Sequence, residues 1–83
     1  MLKTLEDLIN IIRDRKSSSD DSSYTSKLLK NRSLSVEKVK EEIAELIEAV
    51  ENNSNKIHEA ADVLYHLLVY LEGNGVRIED IMD

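Results

Sequence analysis

The sequence predicts an all-α fold: one domain over residues 1–83, arranged as an antiparallel helical bundle that homodimerisation completes. The chain contains no Pro and only two Gly, and 34% of its residues are charged, whereas strands need turn residues that are scarce here. Its apolar residues recur at the three- and four-residue spacing of helices. A chain of 83 residues buries only a thin core, so we expect a second copy, or a higher homo-oligomer, to cover the rest.

A first helix is predicted from Thr4, as its N-cap, to about Arg15. Its apolar residues form a single stripe, made of Leu5, Leu8, Ile9 and Ile12. The tract KSSSDDSS at 16–23 is too polar to enter a core and is interpreted as a loop. Because the helix before it is too short to form a domain alone, this loop belongs inside the domain, where it could close over a site.

A short helical segment is predicted at 23–29, followed by a polar connection at 31–33. Ser35 is predicted as the N-cap of a long helix that ends near Glu51. The apolar stripe of that helix consists of Val36, Val39, Ile43, Leu46, Ile47 and Val50, which is the pattern of an amphipathic helix.

A tight connection is predicted at 52–54, with Ser54 as the N-cap of a fourth helix. This helix should end at Gly73 or Gly75, because glycine readily adopts the left-handed C-cap conformation. The tail at 76–83 adds one or two further turns. A connection this short folds the third and fourth helices into an antiparallel hairpin.

Composition limits the classes of function. The net charge of −6 argues against broad nucleic-acid binding, which normally uses a basic surface. The chain has no Cys, so it has neither disulfides nor thiolate metal ligands, and a cytoplasmic location is expected. The start MLKTLEDL does not resemble a signal peptide, and no apolar run approaches the ~20 residues that span a membrane.

Acidic side chains gather at one depth of the predicted hairpin. On the third helix, Glu42 and Glu45 share one edge, and on the fourth helix Glu59 and Asp62 share a narrow polar strip with His66. Folding the sequence about the connection places the two pairs at the same height. Four carboxylates so placed repel one another unless a cation lies between them.

A divalent cation resolves this repulsion. Carboxylate oxygens without Cys suit Mg²⁺, or Mn²⁺, better than a structural zinc. His66 is expected outside the ligand shell, where it orients a carboxylate or a water molecule. The alternative for Glu41, Glu45 and Glu48 is an ordinary solvated helix face.

Two motifs resemble those of the all-α nucleotide pyrophosphohydrolases, the MazG-like group: EExxE at 41–45 and ExxD at 59–62. SYT at 23–25, followed by KLL, KVKEEIAE and EAADVLYHLLVYL in this order, resembles the phosphoribosyl-ATP pyrophosphatase family over essentially the whole chain. Lys40 stands where that family has Gly in KVGEE, and the connection from Leu29 to Lys38 is somewhat short. Both departures concern the substrate side more than the metal site.

The resemblance implies hydrolysis of phosphoribosyl-ATP to phosphoribosyl-AMP and pyrophosphate, the second step of L-histidine biosynthesis. It also implies metal binding by Glu42, Glu45, Glu59 and Asp62. In this mechanism Mg²⁺ neutralises the triphosphate, stabilises the leaving pyrophosphate and lowers the pKa of the attacking water. Glu41 or Glu45 is the candidate general base.

Substrate contacts are expected from residues before and at the start of the metal helices, namely Tyr24, Thr25, Lys27 and Lys38. Thr25 could instead cap the short helix, and Lys27 could be solvated. Further cations that could reach phosphates are Arg13, Arg15 and Lys16.

Two other functions stay open at this point. A housekeeping nucleoside triphosphate pyrophosphatase of the MazG-like type would use the same metal site with a different base and ribose pocket. A non-catalytic helical dimerisation module would leave its glutamates merely solvated.

Overall fold

The computed structural model describes residues 3–18 and 22–83, and within these ranges it contains helices and no strand. The all-α prediction is therefore confirmed, whereas homodimerisation stays a prediction. In chain order the helices are α1 (Lys3–Ser17), α2 (Tyr24–Lys30), α3 (Arg32–Asn52), α4 (Lys56–Gly73) and α5 (Ile78–Met82).

Helix α1 begins earlier and ends later than predicted. Thr4 lies inside the helix, so its predicted role as N-cap is wrong. At the other end α1 continues past Arg15 to Ser17, whose hydroxyl donates to the carbonyl oxygens of Arg13 and Asp14. The predicted loop at 16–23 is thereby shortened, and residues 19–21 lie outside the described part of the chain.

A single residue, Asn31, separates α2 from α3. Its backbone N–H donates to the carbonyl oxygen of Leu28, and its side-chain oxygen accepts a hydrogen bond from the backbone N–H of Leu34 at 3.1 Å. The prediction that Ser35 caps the long helix is therefore wrong, and Ser35 is instead buried within α3. Asparagine caps helices as well as serine does, so the helix begins at the earlier of two competent caps.

The turn between α3 and α4 depends on two asparagines with positive φ. Asn53 has φ 51° and Asn55 has φ 54°, and asparagine tolerates this left-handed conformation better than most residues. The backbone N–H groups of Asn53 and Ser54 donate back to the last turn of α3. Asn55, rather than the predicted Ser54, occupies the N-cap position of α4. The helices fold back on each other as predicted.

Helix α4 ends at Gly73, one of the two predicted positions. Gly75 has φ 76°, a conformation that favours glycine, and the N–H of Val76 donates to the carbonyl oxygen of Leu71 at 2.9 Å. This turn redirects the chain so that α5 contacts α4, and Ile78 packs against the core.

The apolar core lies between α1, α2 and the second half of α4. Its buried members are Ile9, Ile12, Leu28, Leu68 and Val69, with Leu5, Leu8, Leu29, Leu34, Tyr65 and Ile78 packed around them. The hairpin residues nearer the α3–α4 turn lie outside this cluster and include several exposed apolar side chains. This exposed hairpin face consists of Ile43, Ile47, Val50, Ile57 and Leu64.

None of the helices in the described ranges combines the length and apolar character that crossing a membrane requires.

Candidate active site

Helix α3 contributes three carboxylates to one side of the hairpin. Glu41, Glu42 and Glu45 each offer an oxygen within 4.8 Å of the others, because residues three and four apart meet on a helix surface. Glu42 is buried, whereas Glu41 and Glu45 are exposed. The cluster is therefore reached from solvent on one side and closed on the other.

Helix α4 contributes a second cluster, made of His58, Glu59 and Asp62. Their ligand atoms also lie within 4.8 Å of one another. Glu59 and Asp62 were predicted, but His58 was not. The signal for His58 was its spacing of four residues from Asp62, which places both side chains on one face of the helix.

The electrostatics show that the two acidic clusters meet. Burial raises the pKa of Glu42, and the negative charges of Glu45 and Asp62 raise it further. Burial also raises the pKa of Glu59, with an added contribution from the charge of Glu45. Glu45 therefore lies close to carboxylates on both helices, and the four residues predicted as metal ligands come together.

Two carboxylate oxygens at this site have no hydrogen-bond donor among the described residues. They are Oε2 of Glu42 and Oε2 of Glu59, and both atoms are buried. A buried anionic oxygen without a donor costs free energy, because it has lost its water and gained no partner. A divalent cation would satisfy both oxygens, and the surrounding carboxylates are the hard ligands that Mg²⁺ and Mn²⁺ accept. The residues present therefore fit a metal ion.

Two cavities differ in their relation to these residues. A polar groove of about 220 Å³ is bordered by Glu45, Asn52 and Glu59 and opens beside the acidic clusters. A larger groove of about 460 Å³ lies between α1 and α5, is mostly apolar, and is lined by residues such as Ile9 and Ile78. The smaller groove is the one that adjoins the candidate chemistry.

Lys38 and Tyr24 border the acidic site. The Lys38 ammonium lies 3.6 Å from a carboxylate oxygen of Glu41. Burial raises the pKa of Tyr24, the charge of Lys38 opposes that shift, and the charges of Glu41 and Glu42 add to it. A cation and a half-exposed phenol ring therefore lie at the edge of the carboxylates, where Lys38 and Tyr24 were predicted to contact substrate.

His66 connects Tyr24 to Asp62. Its Nδ1 is 2.7 Å from the backbone carbonyl oxygen of Asp62, and its Nε2 is 2.9 Å from the hydroxyl of Tyr24. A carbonyl oxygen can only accept, so Nδ1 donates, and in the neutral ring Nε2 accepts from the phenol. Both nitrogens of this buried imidazole are therefore engaged, and the ring contacts the backbone of a predicted ligand rather than its carboxylate.

The other SYT side chains fasten α2 at its start and along α4. Ser23 is the N-cap of α2, since its side chain accepts from the N–H of Ser26 at 3.0 Å. Thr25 does not cap the helix, because its hydroxyl forms a short hydrogen bond with the hydroxyl of Tyr65. Lys27, also predicted to contact substrate, is exposed on α2.

Arg13 and Lys16 are used elsewhere in the fold. Arg13 donates to both carboxylate oxygens of Glu72 at 2.9 and 3.0 Å and to those of Glu79 at 2.6 and 3.0 Å. Lys16 donates to the backbone carbonyl oxygen of Glu72 at 2.6 Å. These two cations therefore bind the C-terminal end of α4 and the start of α5, instead of the phosphate contacts considered from sequence.

Comparison with known proteins agrees with this geometry. A family model described as phosphoribosyl-ATP pyrophosphohydrolase matches residues 5–83. The chain is 44% identical over 82 residues to a phosphoribosyl-ATP pyrophosphatase of Methylobacterium nodulans, covering 95% of this chain and 77% of the relative. It is 41% identical over 85 residues to one of Methanosarcina acetivorans, covering 96% and 82%. No solved structure matches the chain.

Proposed function

The chain belongs to the phosphoribosyl-ATP pyrophosphohydrolase family, and from this premise we propose that its acidic hairpin is a metal-dependent active site. The protein is a hydrolase that cleaves phosphoribosyl-ATP to phosphoribosyl-AMP and pyrophosphate, in the second step of L-histidine biosynthesis. Enzymes of this family are typically metal-dependent. The proposed compartment for this biosynthetic step is the cytoplasm.

The observation that carries the metal proposal is the pair of buried carboxylate oxygens without donors, on Glu42 and Glu59. We propose that Glu42, Glu45, Glu59 and Asp62 hold Mg²⁺, with Mn²⁺ as the other ion that this set accepts. The raised pKa values of Glu42 and Glu59 support this, because a cation removes the repulsion that raises them.

When bound, the metal ion supplies charge that neutralises the phosphates and lowers the pKa of water at the site. The protein's own residues then have separate roles. Glu45 and Glu41 are the proposed proton acceptors, since both are exposed carboxylates beside the buried Glu42. Lys38, ion-paired with Glu41, can hold the Glu41 carboxylate in its charged form, which is the form that accepts a proton.

On the substrate side, we propose contacts from Tyr24, Thr25, Lys27 and Lys38. Tyr24 retains 45% exposure of its surface although its hydroxyl is bonded to His66, so its ring face is the part available to a base or ribose. Lys38 is the cation nearest to the acidic cluster and would meet a phosphate. Thr25 and Lys27 lie on the same short helix, with Thr25 tied to α4.

The exposed hairpin face supports a homodimer or a higher homo-oligomer. Ile47, Val50 and Ile57 are 56%, 57% and 88% exposed, and apolar side chains clustered on a surface favour burial against a partner. A second copy of the chain is the proposed partner, since symmetric pairing of one surface with itself is the commonest form of assembly.

Pyrophosphate release from phosphoribosyl-ATP and from ATP, measured with and without Mg²⁺, tests the proposed function. We expect Mg²⁺-dependent release with a strong preference for phosphoribosyl-ATP, because the additional phosphoribosyl group provides binding energy that positions the reacting phosphate. Equal cleavage of both substrates would instead indicate a housekeeping nucleoside triphosphate pyrophosphatase. Release from neither would indicate a non-catalytic dimerisation module.

A further inference from the structure

The chain has two histidines, and the structure gives them different surroundings. His66 is 7% exposed, and both of its ring nitrogens are hydrogen-bonded, to Asp62 and Tyr24. The side chain of His58 is 73% exposed, and its Nε2 lies 3.4 Å from Oδ2 of Asp62. Only His58 therefore presents a ring nitrogen toward the carboxylates without a second partner fixing it among the described residues.

The position of His58 relative to its neighbours is that of a metal ligand. His58 and Asp62 are four residues apart on α4, so their side chains lie one above the other on one helix face. Ligand atoms of His58, Glu59 and Asp62 all lie within 4.8 Å of one another. That separation allows three atoms to surround one ion at bonds of about 2.0–2.2 Å.

Independent evidence for a ligand at this position comes from the buried carboxylates. Oε2 of Glu59 is buried without a donor, and so is Oε2 of Glu42, a residue that is only 9% exposed. Both atoms belong to the joined acidic clusters and lack a partner that an ion would provide. His58 is thus placed beside a site that already requires a cation.

We propose that His58 is a nitrogen ligand at the outer edge of this site, so that the protein binds a first-row transition cation, with Mn²⁺ as the probe, in preference to Mg²⁺. The inference rests on the proposed metal site and deepens it. Mg²⁺ binds oxygen ligands and gives up its water reluctantly, whereas imidazole suits the transition divalent ions. A donor set of one nitrogen with carboxylate oxygens therefore discriminates between the two ions, which an all-carboxylate set does less well.

Binding of Mn²⁺ to the substrate-free protein tests this inference. Electron paramagnetic resonance follows the loss of free Mn²⁺, competition with Mg²⁺ gives the ratio of affinities, and electron spin-echo modulation reports ¹⁴N bound to the ion. We expect nitrogen modulation in the wild-type protein and its loss in His58→Asn. The same variant should lose about tenfold in affinity for Mn²⁺ while its affinity for Mg²⁺ changes less than twofold.

Lys56→Ala is the matched control, because Lys56 is also exposed in the first turn of α4 and should leave the nitrogen signal and both affinities intact. Mn²⁺ binding without nitrogen modulation, or modulation that persists in His58→Asn, would overturn the role of His58 and leave the carboxylate site standing. Failure of the wild-type protein to bind Mn²⁺ or Mg²⁺ at all would overturn the metal site itself. Circular dichroism of each variant checks that α4 is retained.

Discussion

Glu72 and Glu42 are both buried glutamates, but they lie at different ends of the molecule in opposite electrostatic surroundings. Glu72, at the core end, accepts two hydrogen bonds from Arg13, and these lower the pKa of its carboxyl. Glu42, in the hairpin, faces Glu45 and Asp62, and burial together with their charges raises its pKa. One carboxylate is compensated by the fold, and the other awaits a cation from outside it.

The apolar side chains show the same division. Ile12, Leu28 and Val69 are 0%, 2% and 1% exposed at the core end, whereas Ile47 and Ile57 are more than half exposed on the hairpin face. Helix α4 runs through both regions. The comparison teaches that one end of this helix stabilises the chain, while the other end carries chemistry whose stability depends on a metal ion and a partner.

The largest effect that this comparison predicts is on turnover. Replacing Glu42 with Gln, or Asp62 with Asn, should lower the rate of pyrophosphate release by about a hundredfold or more, because each change removes a proposed ligand. The same changes should leave helix content intact and keep or raise the Tm of the metal-free protein, since each removes one charge from a repelling cluster. Steady-state kinetics and thermal melts in a chelator provide the two measurements.

Glu48→Gln is the matched control for these variants. Glu48 is an exposed glutamate of the same helix, outside the clusters that could hold a metal ion, and its replacement should leave turnover nearly unchanged. Loss of folding in both Glu42→Gln and Asp62→Asn would show that these carboxylates serve structure, and the contrast with Glu72 would then disappear.

The hairpin was predictable because two local rules determine it. Helical periodicity places Glu42 and Glu45 on one edge, and the short turn sets them level with Glu59 and Asp62. The structure does bring these four side chains together, while their roles stay predictions. The start of α3 was less accessible, since Asn31 and Ser35 are equally competent caps and only the packing of α2 against α3 and α4 distinguishes them.

The core-end ion pairs could not be predicted. Arg13 and Glu72 are 59 positions apart, and no periodicity along the chain relates them. As cations near the polar loop, Arg13 and Lys16 were therefore assigned to phosphate. His58 was missed for a different reason, because the apolar stripe of the fourth helix drew attention to the polar strip shared by Glu59, Asp62 and His66.

The second effect is on stability at the core end. Arg13→Gln removes the guanidinium that compensates Glu72, leaving a carboxylate that is 4% exposed without its main partner, and unpaired buried charges destabilise proteins strongly. We expect the Tm to fall by roughly 5–10 °C. Arg15→Gln, a change of the same chemistry on the same helix, should lower the Tm by much less. An Arg13→Gln variant as stable as the wild type would mean that apolar packing alone holds α5 and the end of α4.

The smallest effect is on the pH dependence of stability in the metal-free protein, where the two regions should act in opposite directions. Because the pKa values of Glu42 and Glu59 are raised by folding, their repulsion destabilises the protein at neutral pH, and the Tm should rise by a few degrees as the pH falls toward about 4.5.

Below that pH the other region dominates. The pKa of Glu72 is lowered and that of Glu79 is lowered to about 2, mainly by hydrogen bonds from Arg13. Their stabilisation is complete above the ordinary glutamate pKa and is lost as the pH falls from about 4.5 toward 2. Thermal melts in a chelator between pH 7 and pH 2 should therefore show a maximum in Tm near pH 4.5. Glu42→Gln should weaken the rise on the neutral side, and Arg13→Gln should weaken the fall on the acid side. If both variants changed the same limb of the curve, the two glutamate environments would not be independent, because a change at one end of α4 would then alter titration at the other.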